Sequence, residues 1–159
     1  MGQAEAIGRQ LRQKGLTLGV VESATGGLIA HLITNVPGSS DYFKGAVTAY
    51  SNAIKTGLIG VKPATLDAYG AVSPQVAGEM AAGGRRALGV DICLADTGIA
   101  GPGGATAGKP VGLFYLGLAH EGGVSSRRYE CHGSREENKR LAAEAALGWL
   151  EEYLAGPGG

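Results

Sequence analysis

Three apolar, strand-forming runs each end in a short polar segment, and stretches with helical start and stop signals lie between them. This alternation restricts the fold more than any other feature of the chain. The runs are residues 16–21, 45–50 and 91–97. Glu22-Ser23-Ala24-Thr25-Gly26-Gly27 follows the first, and Tyr50-Ser51-Asn52 closes the second. Thr97-Gly98-Ile99-Ala100-Gly101-Pro102-Gly103-Gly104 follows the third. Helices are predicted over 3–14, 26–34, 63–69 and 74–88, with a short helical turn at 52–57. Ser73-Pro74 supplies an N-cap and a first-turn proline. Ser134-Arg135-Glu136-Glu137 is a capping box that opens a last helix to about Leu154. Strands joined through helices pair in parallel. Runs 111–119 and 124–131 flank His120-Glu121-Gly122-Gly123 and read as a hairpin, hence an antiparallel pair. The expectation is an α/β chain: a single three-layer α/β/α sandwich with a mixed sheet of about five strands. It fills residues 1–155, with 156–159 as a flexible tail.

Glycine supports this reading. The chain holds 29 glycines in 159 residues, against a usual share of ~7%. They are interleaved with apolar segments, which points to tight turns and close backbone approaches. Fourteen basic residues balance fourteen acidic ones, and the pI is about 6.8. That balance speaks against a nucleic-acid partner, which needs a basic excess or stripe. No apolar run reaches the roughly 18 residues of a membrane span, and the first fifteen residues carry no signal-peptide core. A cytoplasmic protein with no membrane partner is expected. Cys93 and Cys131 fall in apolar runs and read as buried thiols. His31, His120 and His132 have no metal-ligand spacing, so no metal is expected.

In α/β sheets ligands bind beyond the carboxyl ends of parallel strands, so the three polar segments would share one crevice. Thr25-Gly26-Gly27 opening a helix has the makings of a phosphate cradle; the plain alternative is an N-cap with glycines for packing. Gly103 to Lys109 nearly spells a phosphate loop, but Pro110 replaces the metal-holding hydroxyl and leads into a strand, which excludes a nucleotide triphosphatase. Tyr50-Ser51-Asn52 with Lys55-Thr56-Gly57 echoes penicillin-binding enzymes, but the required S-x-x-K is absent. Pro37-Gly38-Ser39-Ser40 is a tight turn whose hydroxyls sit at a short helix start. Lys55 follows the second strand, and a buried lysine can lose its proton and act as a base. On the residues alone, Ser40 as an N-cap and Lys55 as a solvated charge is the favoured reading.

Six motifs in one order change the weighing. Glu22-Ser23-Ala24-Thr25-Gly26-Gly27, Pro37-Gly38-Ser39-Ser40, Tyr50-Ser51-Asn52 with Lys55, Tyr69-Gly70-Ala71-Val72-Ser73, Gly98-Ile99-Ala100-Gly101-Pro102-Gly103-Gly104 and Lys109-Pro110-Val111-Gly112 are all present. Together they closely resemble the CinA C-terminal domain family, which includes nicotinamide mononucleotide amidases. The resemblance runs from about residue 4 to 154. It implies an α/β/α fold and an amidohydrolase that converts nicotinamide mononucleotide to nicotinate mononucleotide and ammonia, using serine and lysine without metal or cofactor. Carried over by motif, Ser40 is the nucleophile, with Ser23 as the alternative, and Lys55 is the base. Tyr50 and Thr97 line the site. Arg135 is an auxiliary cation that lowers the Lys55 pKa by like-charge repulsion; Ser134 stands where the family has aspartate. Ser23, Thr25, Gly26, Gly27, Asn52, Gly101, Gly103 and Gly104 are the candidate substrate-binding residues. The implied partner is a small nucleotide substrate, and a homo-oligomeric state is compatible with it. Larger members carry an extra N-terminal nucleotide-processing domain; this sequence shows none and is expected to act alone. The competing classes are a non-catalytic nucleotide-binding or regulatory module of the same fold, and an interaction protein whose glycine loops serve packing.

Overall fold

The computed structural model describes residues 2–156. Helix α1 (Gln3–Lys14) ends at Gly15 and leads into β1 (Leu18–Glu22). Then follow α2 (Leu28–Thr34), a 3₁₀ turn (Ser39–Asp41), β2 (Phe43–Thr48), α3 (Asn52–Ile54) and a π-helical turn (Lys55–Ile59). Helices α4 (Pro63–Tyr69) and α5 (Pro74–Leu88) precede β3 (Ile92–Gly98). The hairpin β4 (Leu113–His120) and β5 (Gly123–Glu130) leads to α6 (Arg135–Ala155). Gly156 follows α6, and residues 157–159 of the expected tail lie outside the described residues.

The five strands lie in the order β2-β1-β3-β4-β5. β1 pairs in parallel with both β2 and β3, while β3–β4 and β4–β5 are antiparallel. The mixed sheet of the sequence reading is therefore present. Helices α1, α2 and α6 cover one face over a core that includes Val20, Ile29, Leu94, Leu116 and Leu150. Helix α5 covers the other, against Val21, Cys93, Ala95 and Ala119. Each large aliphatic side chain buried this way is worth about 1.5–3 kcal/mol. Close approach is needed where α5 crosses β4: a Cβ on Gly117 would collide with the Ala77 carbonyl.

Two boundaries differ from the sequence reading. Helix α2 starts at Leu28 rather than 26, because Gly26 and Gly27 take φ of 64° and 105°. The turn expected at 52–57 widens after Ile54 into the π-helical turn, which carries Lys55. No helix among the described residues is long and apolar enough to cross a membrane.

Since β1, β2 and β3 run parallel, their carboxyl ends emerge together. β1 lies between the other two, and its neighbours are reached by crossovers on opposite faces, through α2 and through α5. That is the arrangement in which a crevice opens at the strand ends.

Candidate active site

The site begins with two buried carboxyls. Glu22 ends β1 and Asp96 lies near the end of β3; both are fully buried. Asp96 accepts the Ser23 amide at 3.0 Å and the Thr25 amide at 3.1 Å. These bonds tie the turn after β1 to the neighbouring strand and fix where Ser23 points. Glu22 accepts the amides of Gly27, Ile29 and Ala30 at 3.2, 2.9 and 3.0 Å. Glycine at the start of α2 has no side chain to cap the helix, so Glu22 reaches over and takes the orphan N–H groups. The expectation of a phosphate cradle at Thr25-Gly26-Gly27 is corrected accordingly: the Thr25 and Gly27 amides are taken by Asp96 and Glu22, and the Gly26 amide by the Ser23 carbonyl. These three residues instead border a groove with His31, Glu136 and Lys139, apart from the cavity described below.

Lys55 enters from the other side. It is 2% exposed. Its Nζ donates to Ser23 Oγ at 2.9 Å, to the Ala49 carbonyl at 2.8 Å and to the Tyr50 carbonyl at 3.0 Å. Ser51 caps the short α3 through the Ile54 amide, and the wide turn that follows carries the lysine inward. Burial lowers the Lys55 pKa, and the negative charge of Asp96 opposes this. The geometry has a chemical consequence. As an ammonium, Lys55 fills three acceptors with three protons. As a neutral amine it has two N–H bonds and one lone pair. The two carbonyls can only accept, so they take both N–H groups and the lone pair is left facing the Ser23 hydroxyl.

A cavity of about 340 Å³ opens beside this pair. Ser23, Ala24, Tyr50, Asn52, Lys55, Thr97, Gly101, Gly103, Gly104 and Arg135 line it, together with the 71–72 segment. Thr97 Oγ1 donates to the Ala71 carbonyl at 2.8 Å and so holds that wall in place. Arg135 Nη1 donates to the Gly101 carbonyl at 2.8 Å, and Nη2 donates to Tyr50 Oη at 3.2 Å. Buried Asn138 pins the same loop from α6, donating to the Ala100 carbonyl at 3.0 Å and accepting the Gly133 amide at 2.8 Å. Ser134 caps α6, and Arg135 on the first turn reaches the cavity.

Two further expectations are corrected. Ser40 does not meet Lys55. It is exposed, in the 3₁₀ turn that precedes β2, and its carbonyl accepts from Lys44 Nζ. The parallel register places Phe43 beside Leu18 and Thr48 beside Glu22. Ser40 therefore sits at the amino end of the strands, a strand's length from the carboxyl-end crevice. Arg135 is also not what depresses Lys55; burial does. Asp96, Asn138 and the structural use of Glu22 were missed in the sequence. An isolated aspartate inside the apolar run 91–97 was the available signal for the first of these.

Comparison with known proteins places this arrangement. The model of the CinA C-terminal domain matches residues 2–154. A CinA-like protein of Geotalea uraniireducens is 50% identical over 143 residues, 90% of this chain and 34% of that protein. A CinA-like protein of Chlorobium phaeobacteroides is 49% identical over 155 residues, 94% of this chain and 37% of that protein. The chain thus spans little more than a third of the length of these curated relatives. Among solved structures, the competence damage-inducible protein A of Klebsiella pneumoniae superposes with a TM-score of 0.93 at 29% identity, covering 96% of this chain and 95% of that one. The competence/damage inducible protein CihA of Agrobacterium tumefaciens gives 0.89 at 35% identity, covering 98% of each chain.

Proposed function

This chain belongs to the CinA C-terminal domain family, and we propose that it is an amidohydrolase acting on the carboxamide of nicotinamide mononucleotide, with Ser23 as nucleophile and Lys55 as base. The observation that carries the reading is the Ser23–Lys55 contact at the edge of the cavity. A buried lysine whose pKa is lowered, with its lone pair steered onto a serine hydroxyl, has the features of an activated nucleophile. The cavity lies in the size range of small-molecule sites, roughly 300–1,000 Å³. Arg135 on its wall offers a cation to an anionic substrate. The substrate itself comes from the family resemblance.

The chemistry follows. Neutral Lys55 takes the hydroxyl proton as Ser23 Oγ bonds to the carboxamide carbon, and the carbonyl becomes an oxyanion. The Ala24 amide follows the nucleophile, borders the cavity and has no protein acceptor among the described residues. It is the natural donor to that oxyanion. Protonated Lys55 returns its proton to the departing nitrogen, the C–N bond breaks, and ammonia leaves an ester on Ser23. Water then attacks this ester with Lys55 again as base, releasing the nicotinate carboxylate and regenerating the serine.

The test is ammonia release from nicotinamide mononucleotide by purified protein in the presence of a chelator. The chelator is included because no three His, Cys, Asp or Glu side chains among the described residues are grouped to hold an ion. Turnover in the wild type that Ser23→Ala loses supports the reading. No ammonia above blank at high protein concentration refutes it, and a thermal shift with the nucleotide would then favour the non-catalytic binding module.

A further inference from the structure

Thr25 has one hydroxyl proton and two carboxyl neighbours. Its Oγ1 lies 2.5 Å from Glu22 Oε1 and 2.5 Å from Asp96 Oδ1, with all three side chains buried. A single hydroxyl can donate to only one of them. Were both carboxyls ionised, the other contact would press lone pairs together inside the protein. One extra proton resolves this. It sits on one carboxyl, donates to Thr25 Oγ1, and lets the hydroxyl donate onward to the other.

The backbone decides which carboxyl keeps it. Glu22 accepts three amide N–H groups at the start of α2, so both of its oxygens are engaged as acceptors. Asp96 gathers two amides and faces the Glu22 charge. We propose that Asp96 is a positioning residue that holds its proton to well above the ordinary aspartate range, donating through Thr25 Oγ1 to the Glu22 carboxylate, and that this relay sets the Ser23 turn against Lys55.

The ionisable groups acting on Asp96 are Glu22 from β1 and Lys55 from the π-helical turn. On β4 the residue paired with Asp96 is Leu116, which carries no charge. Burial raises the Asp96 carboxyl to about 6, against the Ser23 and Thr25 amides that favour its ionised form, and the Glu22 charge adds to the rise. The relay serves the site by fixing Asp96 in place: Oδ2 accepts the Thr25 amide and the remaining lone pair of Oδ1 faces the Ser23 amide. That this turn carries the nucleophile rests on the amidase reading; the location of the proton does not.

The experiment is a carbon-13 NMR titration of the aspartate side-chain carboxyls, with Asp96 assigned by its loss in Asp96→Asn. In the wild type Asp96 titrates near pH 6, about two units above an ordinary aspartate. A carboxyl that has finished titrating by about pH 5 overturns the proposal. The sign in Thr25→Val is decisive. A relay loses the acceptor of the Asp96 proton, so Asp96 titrates lower. A hydroxyl that merely donates to an ionised Asp96 gives the opposite shift, and that result, or no shift, overturns the relay. Thr25→Ser restores the wild-type value. If Thr25→Val does not fold, the wild-type and Thr25→Ser titrations decide. None of these readings uses turnover, so protein inert toward the nucleotide would sink the amidase reading and leave the relay standing.

Discussion

Lys55 Nζ lies 2.9 Å from Ser23 Oγ, although thirty-two positions separate the two residues in the chain. The two carbonyls that share the lysine leave it one direction in which to accept a proton, and Ser23 occupies it. The proposed chemistry is therefore a property of the pair.

Ser23→Ala is expected to lower ammonia release from nicotinamide mononucleotide by roughly 10³-fold or more, since a nucleophile acts mainly along the reaction path. Ser40→Ala should stay within about twofold of wild type, because an exposed hydroxyl at the opposite end of the sheet touches nothing that reacts. Steady-state assays on the two variants separate the assignments, and the reverse pattern would restore Ser40.

To serve as the proposed base, Lys55 must be neutral. Its pKa is lowered by burial, so turnover should rise with pH through that lowered value and level off before the ordinary lysine range near 10.5. Lys55→Arg should be inactive at every pH, since a guanidinium does not deprotonate in this range. Ser23→Ala/Lys55→Gln should be scarcely worse than either single change, because the two residues work as a unit. A pH–rate profile rising only above the ordinary lysine value would contradict the assignment.

Arg135→Ala removes the donors to the Gly101 carbonyl and Tyr50 Oη across the cavity. Losing charged hydrogen bonds of this kind should reduce kcat/KM by about 10-fold or more, chiefly through KM. Arg135→Lys should recover only part of it, because one ammonium cannot span two acceptors in the fixed geometry of the guanidinium fork. Initial-rate kinetics over a range of nucleotide concentrations provide the check.

Stability should carry the mark of Asp96. Its folded pKa is raised from 3.8 to about 6, so the native state binds this proton more tightly than the unfolded chain does. The favourable contribution is complete below the unfolded value and is lost as pH rises from about 4 to about 6. Asp96→Asn should remove that component from the pH dependence of urea unfolding. A variant with the same pH dependence as wild type over this window would show that Asp96 titrates normally.

Packing offers a test independent of chemistry. A Cβ on Gly117 meets the Ala77 backbone carbonyl, which cannot rotate aside, so α5 must move off the sheet. Gly117→Ala should cost about 1–3 kcal/mol. Gly103→Ala, where a Cβ meets nothing, should stay near neutral. Urea midpoints of the two variants measure the difference.

The sequence by itself determined the order and type of the elements, because their signals are local. Gly15 stops α1, Ser73-Pro74 starts α5, and the Ser134 capping box starts α6, each at the position its residues indicate. Three strands with polar ends also announced a crevice, and Tyr50, Thr97, Gly101 and Lys55 do line it. Only the tertiary structure decided which serine Lys55 meets. Ser23 and Ser40 both sit in short polar turns near a strand, and no local preference tells the ends of a sheet apart. Parallel pairing does: it carries the segment after β1 to the end where β2 delivers Lys55, and leaves the turn before β2 at the other. The same holds for Glu22 and Asp96. Their place in apolar strands reads as an anomaly until the neighbouring strand and helix supply the amides that make burying a carboxyl tolerable.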